Sequence, residues 1–174
     1  MTTGSLEIDL MTVTPLWTGG ADGKSDRLHV TGILGSLRWW YEVMVRGLGG
    51  NACDPSKHSC LYDPEKPPDY GLCNVCQIFG ATGWSRRFRL VINDEAGLRS
   101  ASPWERRITA SRSYKDRFRK EKIPTWFFDN PPLSGNVSIK IMSTDRQFQV
   151  EIIGELIHFL SRWASIGARP PVGV

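Results

Sequence analysis

The stretch Val137-Ser-Ile-Lys-Ile-Met-Ser-Thr-Asp-Arg-Gln-Phe-Gln-Val-Glu-Ile-Ile-Gly-Glu-Leu-Ile-His-Phe-Leu-Ser-Arg-Trp163 changes its apolar period partway along. Val137, Ile139 and Ile141 alternate with polar neighbours, the spacing of a half-buried strand. From Thr144 onward, Phe148, Ile152, Leu156, Phe159, Leu160 and Trp163 recur at fours and threes, which predicts a helix over 144–163 with Thr144 or Asp145 as its cap. The same strand period occurs upstream at Phe88, Leu90 and Ile92, with Arg87 and Arg89 on the opposite face, and again at Leu6, Ile8 and Leu10. Between these two strands Ile33, Leu34, Leu37, Tyr41, Met44 and Val45 predict a helix over 31–46, with Thr31 as its cap. The order β-α-β-β-α defines an α+β chain one strand short of the ferredoxin-like (RRM-like) β-α-β-β-α-β unit, so the last strand is expected to be missing.

At 174 residues the chain has room for one domain with a real core, which rules out most large enzyme barrels. Forty per cent hydrophobic and 23% charged residues exclude wholesale disorder, while 17 Gly and 11 Pro imply long irregular connections. No apolar run approaches the ~20 residues that span a bilayer. The start, MTTGSLEIDL, has neither a basic segment nor an apolar signal core, so the expected location is cytoplasmic, with no membrane partner.

Two segments do not fit the strand and helix periods. Residues 47–79 hold Cys53, Cys60, Cys73 and Cys76 among glycine, proline and charge, and nothing in their pattern orders them by packing alone. The spacing C-x6-C-x12-C-x2-C ends in a tight pair that can grip one side of a tetrahedral ion while the upstream pair grips the other. Structural Zn2+ is therefore expected; free thiols and redox chemistry are the alternatives, and His58 could replace one thiol. Four protein ligands would close the coordination sphere and activate no water.

The second segment, 94–132, is very long for a connection and reads as a functional excursion or arm. Between Trp84 and Pro124 stand twelve basic residues against five acidic ones, so this stretch carries +7 and the rest of a +4 chain carries −3. Arg86, Arg87 and Arg89, then Arg106, Arg107, Arg112, Lys115, Arg117 and Arg119, are interleaved with Trp84, Phe88, Trp104, Tyr114, Phe118, Trp126, Phe127 and Phe128. Guanidinium forks bind phosphates and aromatic faces stack on unpaired bases, a mixture suited to single-stranded nucleic acid. Any one of these aromatics could instead fill the core.

Before the first helix, Thr18-Gly-Gly-Ala-Asp-Gly-Lys-Ser is a glycine loop followed by Arg27 and His29, and Arg38-Trp39-Trp40 lies behind it. An unperturbed imidazole can serve as a general base near neutral pH, but without a visible acidic partner His29 reads as a bystander rather than a base. The third strand has no aromatic pattern for stacking bases on an open sheet. The phosphate-binding G-x-x-x-x-G-K, the G-x-S-x-G elbow and the His-Glu-x-x-His pair are all missing, which disfavours the ATP-driven and hydrolytic chemistries they serve.

Thr14-Pro-Leu-Trp-Thr-Gly-Gly-Ala-Asp-Gly, Ile33-Leu-Gly-Ser-Leu-Arg-Trp-Trp-Tyr and Cys73-Asn-Val-Cys-Gln-Ile-Phe-Gly-Ala-Thr-Gly-Trp-Ser-Arg-Arg-Phe together resemble the RAMP superfamily of CRISPR systems. Within it the chain resembles the first-numbered Cmr subunit of type III-B effector complexes, in its N-terminal domain, and Ile166-Gly-Ala-Arg-Pro-Pro-Val-Gly resembles the glycine-rich loop after the second helix. The resemblance implies a ferredoxin-like fold, guide RNA and target RNA as ligands, and other RAMP subunits as partners in a complex where this subunit does not cut. Mapped onto this chain, the RNA-facing candidates are Lys24, Arg27, Arg38, Arg46, Arg86, Arg87 and Arg169, joined by Arg106, Arg107 and Arg112 of the basic arm. Other members of the superfamily cleave RNA without metal, and in that alternative His29, Tyr41 or Lys24 would be the base and Asp26 the residue of a target-cutting loop. The resemblance implies a second ferredoxin-like domain in full-length members, which is not expected among these residues.

Overall fold

The computed structural model describes residues 4–18, 26–54, 57, 60–67, 70–93, 97–101, 107–127 and 130–167. The long strands and helices expected from periodicity are present: β1 Ser5–Met11, α1 Val30–Gly47, β2 Phe88–Asn93, β8 Leu133–Ser143 and α3 Glu151–Trp163. Between them lie a short helix, α2 Asn74–Phe79, and the short strands β3 Leu98–Ser100, β4 Arg107–Thr109, β5 Tyr114–Lys115, β6 Glu121–Lys122 and β7 Thr125–Phe127.

The central strand is β8. It pairs antiparallel with β1 on one side, Ile8 opposite Ile139, and with β2 on the other, Ile92 opposite Ile139. The α+β composition and the order β1-β8-β2 are compatible with the ferredoxin-like arrangement. Alternation sends Phe88, Leu90, Val137, Ile139 and Ile141 inward, where they meet Ile33 and Leu37 of α1 and Ile153, Leu156, Ile157 and Leu160 of α3. The outward set on β1, β8 and β2 includes Glu7, Asp9, Lys140 and Arg89, two charges of each sign and no aromatic ring.

Helix α3 starts at Glu151, seven residues after the expected start, and neither Thr144 nor Asp145 caps it. Residues 144–150 form a turn instead, because Asp145 Oδ1 accepts from the Gln147 amide at 2.9 Å and Asp145 Oδ2 is held by Arg87. At α1 the cap position is His29, and Thr31 lies inside the helix. The His29 amide donates to Thr18 Oγ1 at 2.7 Å, and the fully buried Thr18 donates from that hydroxyl to the Arg27 carbonyl at 3.1 Å. One side chain thus closes the base of the glycine loop onto the start of α1.

Part of the excursion between β2 and β8 continues their pairing, as β3 against β8, and its described remainder forms two separate two-stranded ladders, β4 with β7 and β5 with β6. After Asn93↔Ser138 comes Leu98↔Gly135, a step of five residues on the ascending strand and three on the descending one. The next ladders, Arg107↔Phe127 with Thr109↔Thr125 and then Tyr114↔Lys122, again place the excess residues on the ascending side. The last of these steps, wholly within described residues, puts five residues on one strand against three on the other, a bulge of the kind that bends and twists a hairpin. Where β3 meets β8, Gly135 has φ 135° and a Cβ there would run into the Gly97 carbonyl, so only glycine permits the two strands to approach.

Candidate functional site

The four cysteines come together. Cys53 and Cys60 lie in the loop after α1, Cys73 is the N-cap of α2 and Cys76 sits in its first turn. Their sulfurs all lie within 4.8 Å of one another, and Cys53 Sγ is 3.6 Å from Cys76 Sγ. Tetrahedral zinc with ~2.3 Å bonds needs sulfurs ~3.8 Å apart, so the cluster is of a size that can hold a metal ion. Amide donors already face the sulfurs: the Cys73 amide to Cys60 Sγ at 3.3 Å and the Cys76 amide to Cys73 Sγ at 3.4 Å. Burial works against a Cys73 thiolate, but the amides of Cys53 and Cys76 and the neighbouring thiols outweigh it and bring this thiol down to about 7. Burial pushes the Cys60 and Cys76 thiols up. His58 lies outside the described residues.

The cluster is docked on α1 by a row of three charged residues one turn apart. Arg38 donates from Nε to Glu42 Oε1 at 3.1 Å, from Nη1 to the Gly80 carbonyl at 2.9 Å and from Nη2 to Cys76 Sγ at 3.2 Å. Arg46 Nη2 donates to the Cys53 carbonyl at 2.7 Å and lies 3.5 Å from Glu42 Oε2. Burial opposes the charge on Arg38, but Glu42 and Cys76 more than compensate and raise its pKa above the ordinary value. The guanidinium groups of Arg38 and Arg46, expected to face RNA, hold the cysteine module.

Arg87 also has a partner within the fold. Its Nε lies 2.8 Å from Asp145 Oδ2 and its guanidinium covers the Phe148 ring at 5.6 Å. The backbone bond from Gln147 and the Arg87 pair hold the Asp145 carboxyl below its usual range. Arg86 Nε donates to the Phe88 carbonyl at 2.8 Å and its guanidinium lies 5.6 Å from the Phe88 ring. Arg27 is exposed beside the glycine loop. Lys24, Arg106 and Arg169 lie outside the described residues.

Exposed positive charge is densest on the hairpin. Residues 107–127 carry seven basic side chains against Asp116 and Glu121, and Arg107, Arg112, Lys115, Arg117, Arg119, Lys120 and Lys122 are exposed. Asp116 builds the tip: its Oδ1 accepts from the Phe118 amide at 2.8 Å and the Lys120 amide at 3.1 Å, and its Oδ2 pairs with Lys122 Nζ at 3.2 Å. These bonds outweigh desolvation and keep its carboxyl below the usual range. Held this way, the tip presents Phe118, 67% exposed, with the Arg117 guanidinium 4.7 Å from its ring. An Asp side chain readily accepts from the backbone amide two residues on, so Asp116 was findable from sequence, as was Glu42 at four residues from each arginine.

A third grouping lies at the loop base, where His29 Nε2 is 2.9 Å from Asp26 Oδ1. His29 therefore has the acidic partner that the sequence reading did not assign it, at helical spacing. The hydrogen bond from His29 lowers the Asp26 pKa. Tyr41 packs on Phe79 with ring centroids 5.5 Å apart, and burial pushes its phenol up, which makes it a poor base.

No described helix is long and apolar enough to cross a membrane. A stretch of 49 residues, 28% of this chain, is 35% identical to the CRISPR system Cmr subunit Cmr1-2 of Pyrococcus furiosus and spans 26% of that protein. The family description that matches, RAMP superfamily, covers residues 9–174. With the match running through the sheet, the cysteine module, the hairpin and both long helices, this chain belongs to the RAMP superfamily.

Proposed function

We propose that the chain is a non-catalytic RNA-binding subunit of a type III CRISPR ribonucleoprotein effector complex, acting in antiviral defence in the cytoplasm. It would be the N-terminal part of a first-numbered Cmr subunit, contacting the guide RNA 3′ region, the target RNA or both, with other RAMP subunits as neighbours. The carrying observation is the hairpin, whose seven basic side chains accompany the exposed rings of Tyr114 and Phe118. Cations on this arm would track phosphates while the rings stack on bases. The open sheet face, with both signs of charge and no aromatic ring, offers no comparable platform. Zn2+ on Cys53, Cys60, Cys73 and Cys76 would cross-link the loop after α1 to α2, with four thiolates closing its sphere. The last strand of a complete ferredoxin-like unit would pair with the outer edge of β1, which has no partner strand among the described residues.

The Asp26–His29 pair favours one other reading, a metal-independent endoribonuclease in which His29 takes the proton of a 2′-hydroxyl and Asp26 orients the imidazole. Incubating the protein with guide RNA and a matched target decides between them. The binding reading expects a retained, uncut RNA; specific cleavage abolished by His29→Ala or Asp26→Ala would establish the nuclease.

A further inference from the structure

The position of Arg38 carries an inference that rests on the cysteines holding a metal ion. An ion bound by four thiolates carries a net charge of −2, and taking that charge out of water is costly unless donors and cations meet the sulfurs. The amides of Cys73 and Cys76 supply neutral donors. Arg38 supplies a charged one, 3.2 Å from Cys76 Sγ, and its other two nitrogens are fixed on Glu42 and the Gly80 carbonyl. The fork is therefore held in place, with its third nitrogen aimed at one ligand sulfur. Arg46 makes a useful contrast: it holds Cys53 through the carbonyl, at 2.7 Å, and adds no bond to a sulfur.

We propose that Arg38 is an outer-shell residue of the metal centre, which draws electron density from the Cys76 thiolate, offsets its charge and lowers its reactivity toward electrophiles. Arg46 only docks the loop. A charge-assisted N–H···S bond competes with the metal for the sulfur lone pair, so the metal–sulfur bond becomes less covalent and the bound thiolate a weaker nucleophile. Arg38 thus acts through Cys76 rather than on RNA, although its place on α1 made it an RNA-facing candidate by resemblance.

The test uses Co2+ as probe, titrated into the full chain stripped of metal, for the parent protein and for Arg38→Gln, Arg38→Lys and Arg46→Gln. The parent should give the visible bands of tetrahedral cobalt with four thiolates. In Arg38→Gln the sulfur-to-cobalt charge-transfer band should move to longer wavelength, and Co2+ affinity should fall by ~10- to 100-fold. Iodoacetamide should release the ion several-fold faster from this variant. Arg38→Lys, which keeps the charge but not the fork, should fall between, and it carries the test should Arg38→Gln not fold. Arg46→Gln should leave the band unmoved. An unmoved band in both Arg38 variants, or a shift as large in Arg46→Gln, would overturn the outer-shell role. A shallower salt dependence of RNA binding in Arg38→Gln, with its cobalt spectrum unchanged, would return Arg38 to the RNA surface. A parent protein without thiolate-cobalt bands would overturn the metal reading itself.

Discussion

Stripping the metal from the cysteine module should release the loop and spare the helix. In α2, six residues long, Val75, Ile78 and Phe79 are all buried, and the Phe79 ring meets Tyr41 at 5.5 Å and Phe88 at 5.4 Å. Burial of such side chains stabilises by ~1.5 to 3 kcal/mol each, enough to hold a short helix on the core without an ion. The loop 51–72 differs. Its buried side chains among the described residues are Cys60 and Leu72, worth ~2 kcal/mol each. Fixing the backbone costs ~1 to 2 kcal/mol per residue, so a few ordered residues already offset that contribution and the rest depend on the cross-link. Hydrogen exchange on protein with and without a chelator reads the difference. The Asn51 amide, bonded to Asn74 Oδ1 at 2.8 Å, and the Tyr62 amide, bonded to the Thr82 carbonyl at 3.1 Å, should approach the rate of an unprotected chain. The Gly80 amide, bonded to the Cys76 carbonyl, and the β8 amides should keep their protection. Loss of protection at Gly80 and β8 together with the loop would mean that the ion holds the core; unchanged exchange at Asn51 and Tyr62 would mean that it orders nothing.

Three other perturbations separate fold from function. Gly135→Ala places a Cβ against the Gly97 carbonyl at φ 135°, and should lower stability by roughly 2 to 3 kcal/mol in urea unfolding; an unchanged midpoint would contradict the close approach of β3 and β8. Asp145→Asn removes a carboxylate whose folded pKa is lowered, so its contribution is present above about pH 4 and disappears as pH falls through the folded value. With partial exposure the loss should be about 1 kcal/mol near neutral pH and should vanish near pH 2; a gap that persists in acid would contradict the ion pair. Phe118→Ala should leave thermal stability untouched, because the ring is 67% exposed, yet weaken single-stranded RNA binding by ~1 to 3 kcal/mol in fluorescence anisotropy. Unchanged affinity would remove Phe118 from the interface.

Sequence periodicity located the elements that bury one face. Leu6–Leu10, Phe88–Ile92 and Val137–Ile141 alternate because their other face stays open, and α1 shows its apolar stripe because its outer side is wet. The helix α2 was missed for the opposite reason. Four of its six residues, Val75, Cys76, Ile78 and Phe79, are buried, so it has neither the length nor the polar face that periodicity needs. The hairpin read as an irregular excursion because its strands are two or three residues long and bulges shift the side-chain alternation between them. The cysteine cluster was legible from spacing alone. The partners of Arg38 and Arg87 were not, since Cys76 and Asp145 lie 38 and 58 residues away and only the folded chain brings them together. The Asp26–His29 pair was within reach of sequence at a separation of three, and was overlooked.

Salt dependence of RNA binding tests the interface most directly. Replacing Arg112, Arg117 and Lys120 by Gln leaves the buried core intact and removes three exposed cations from the hairpin. Every phosphate that is no longer neutralised should make the slope of log affinity against log salt shallower by ~0.7, a total of ~2 for the triple variant. Arg87→Ala, which breaks the Asp145 pair, serves as the control and should lower stability without changing the slope. A shallower slope in the triple variant alone is the expected result; a parental slope there, with the change appearing in Arg87→Ala, would place the nucleic acid on another surface.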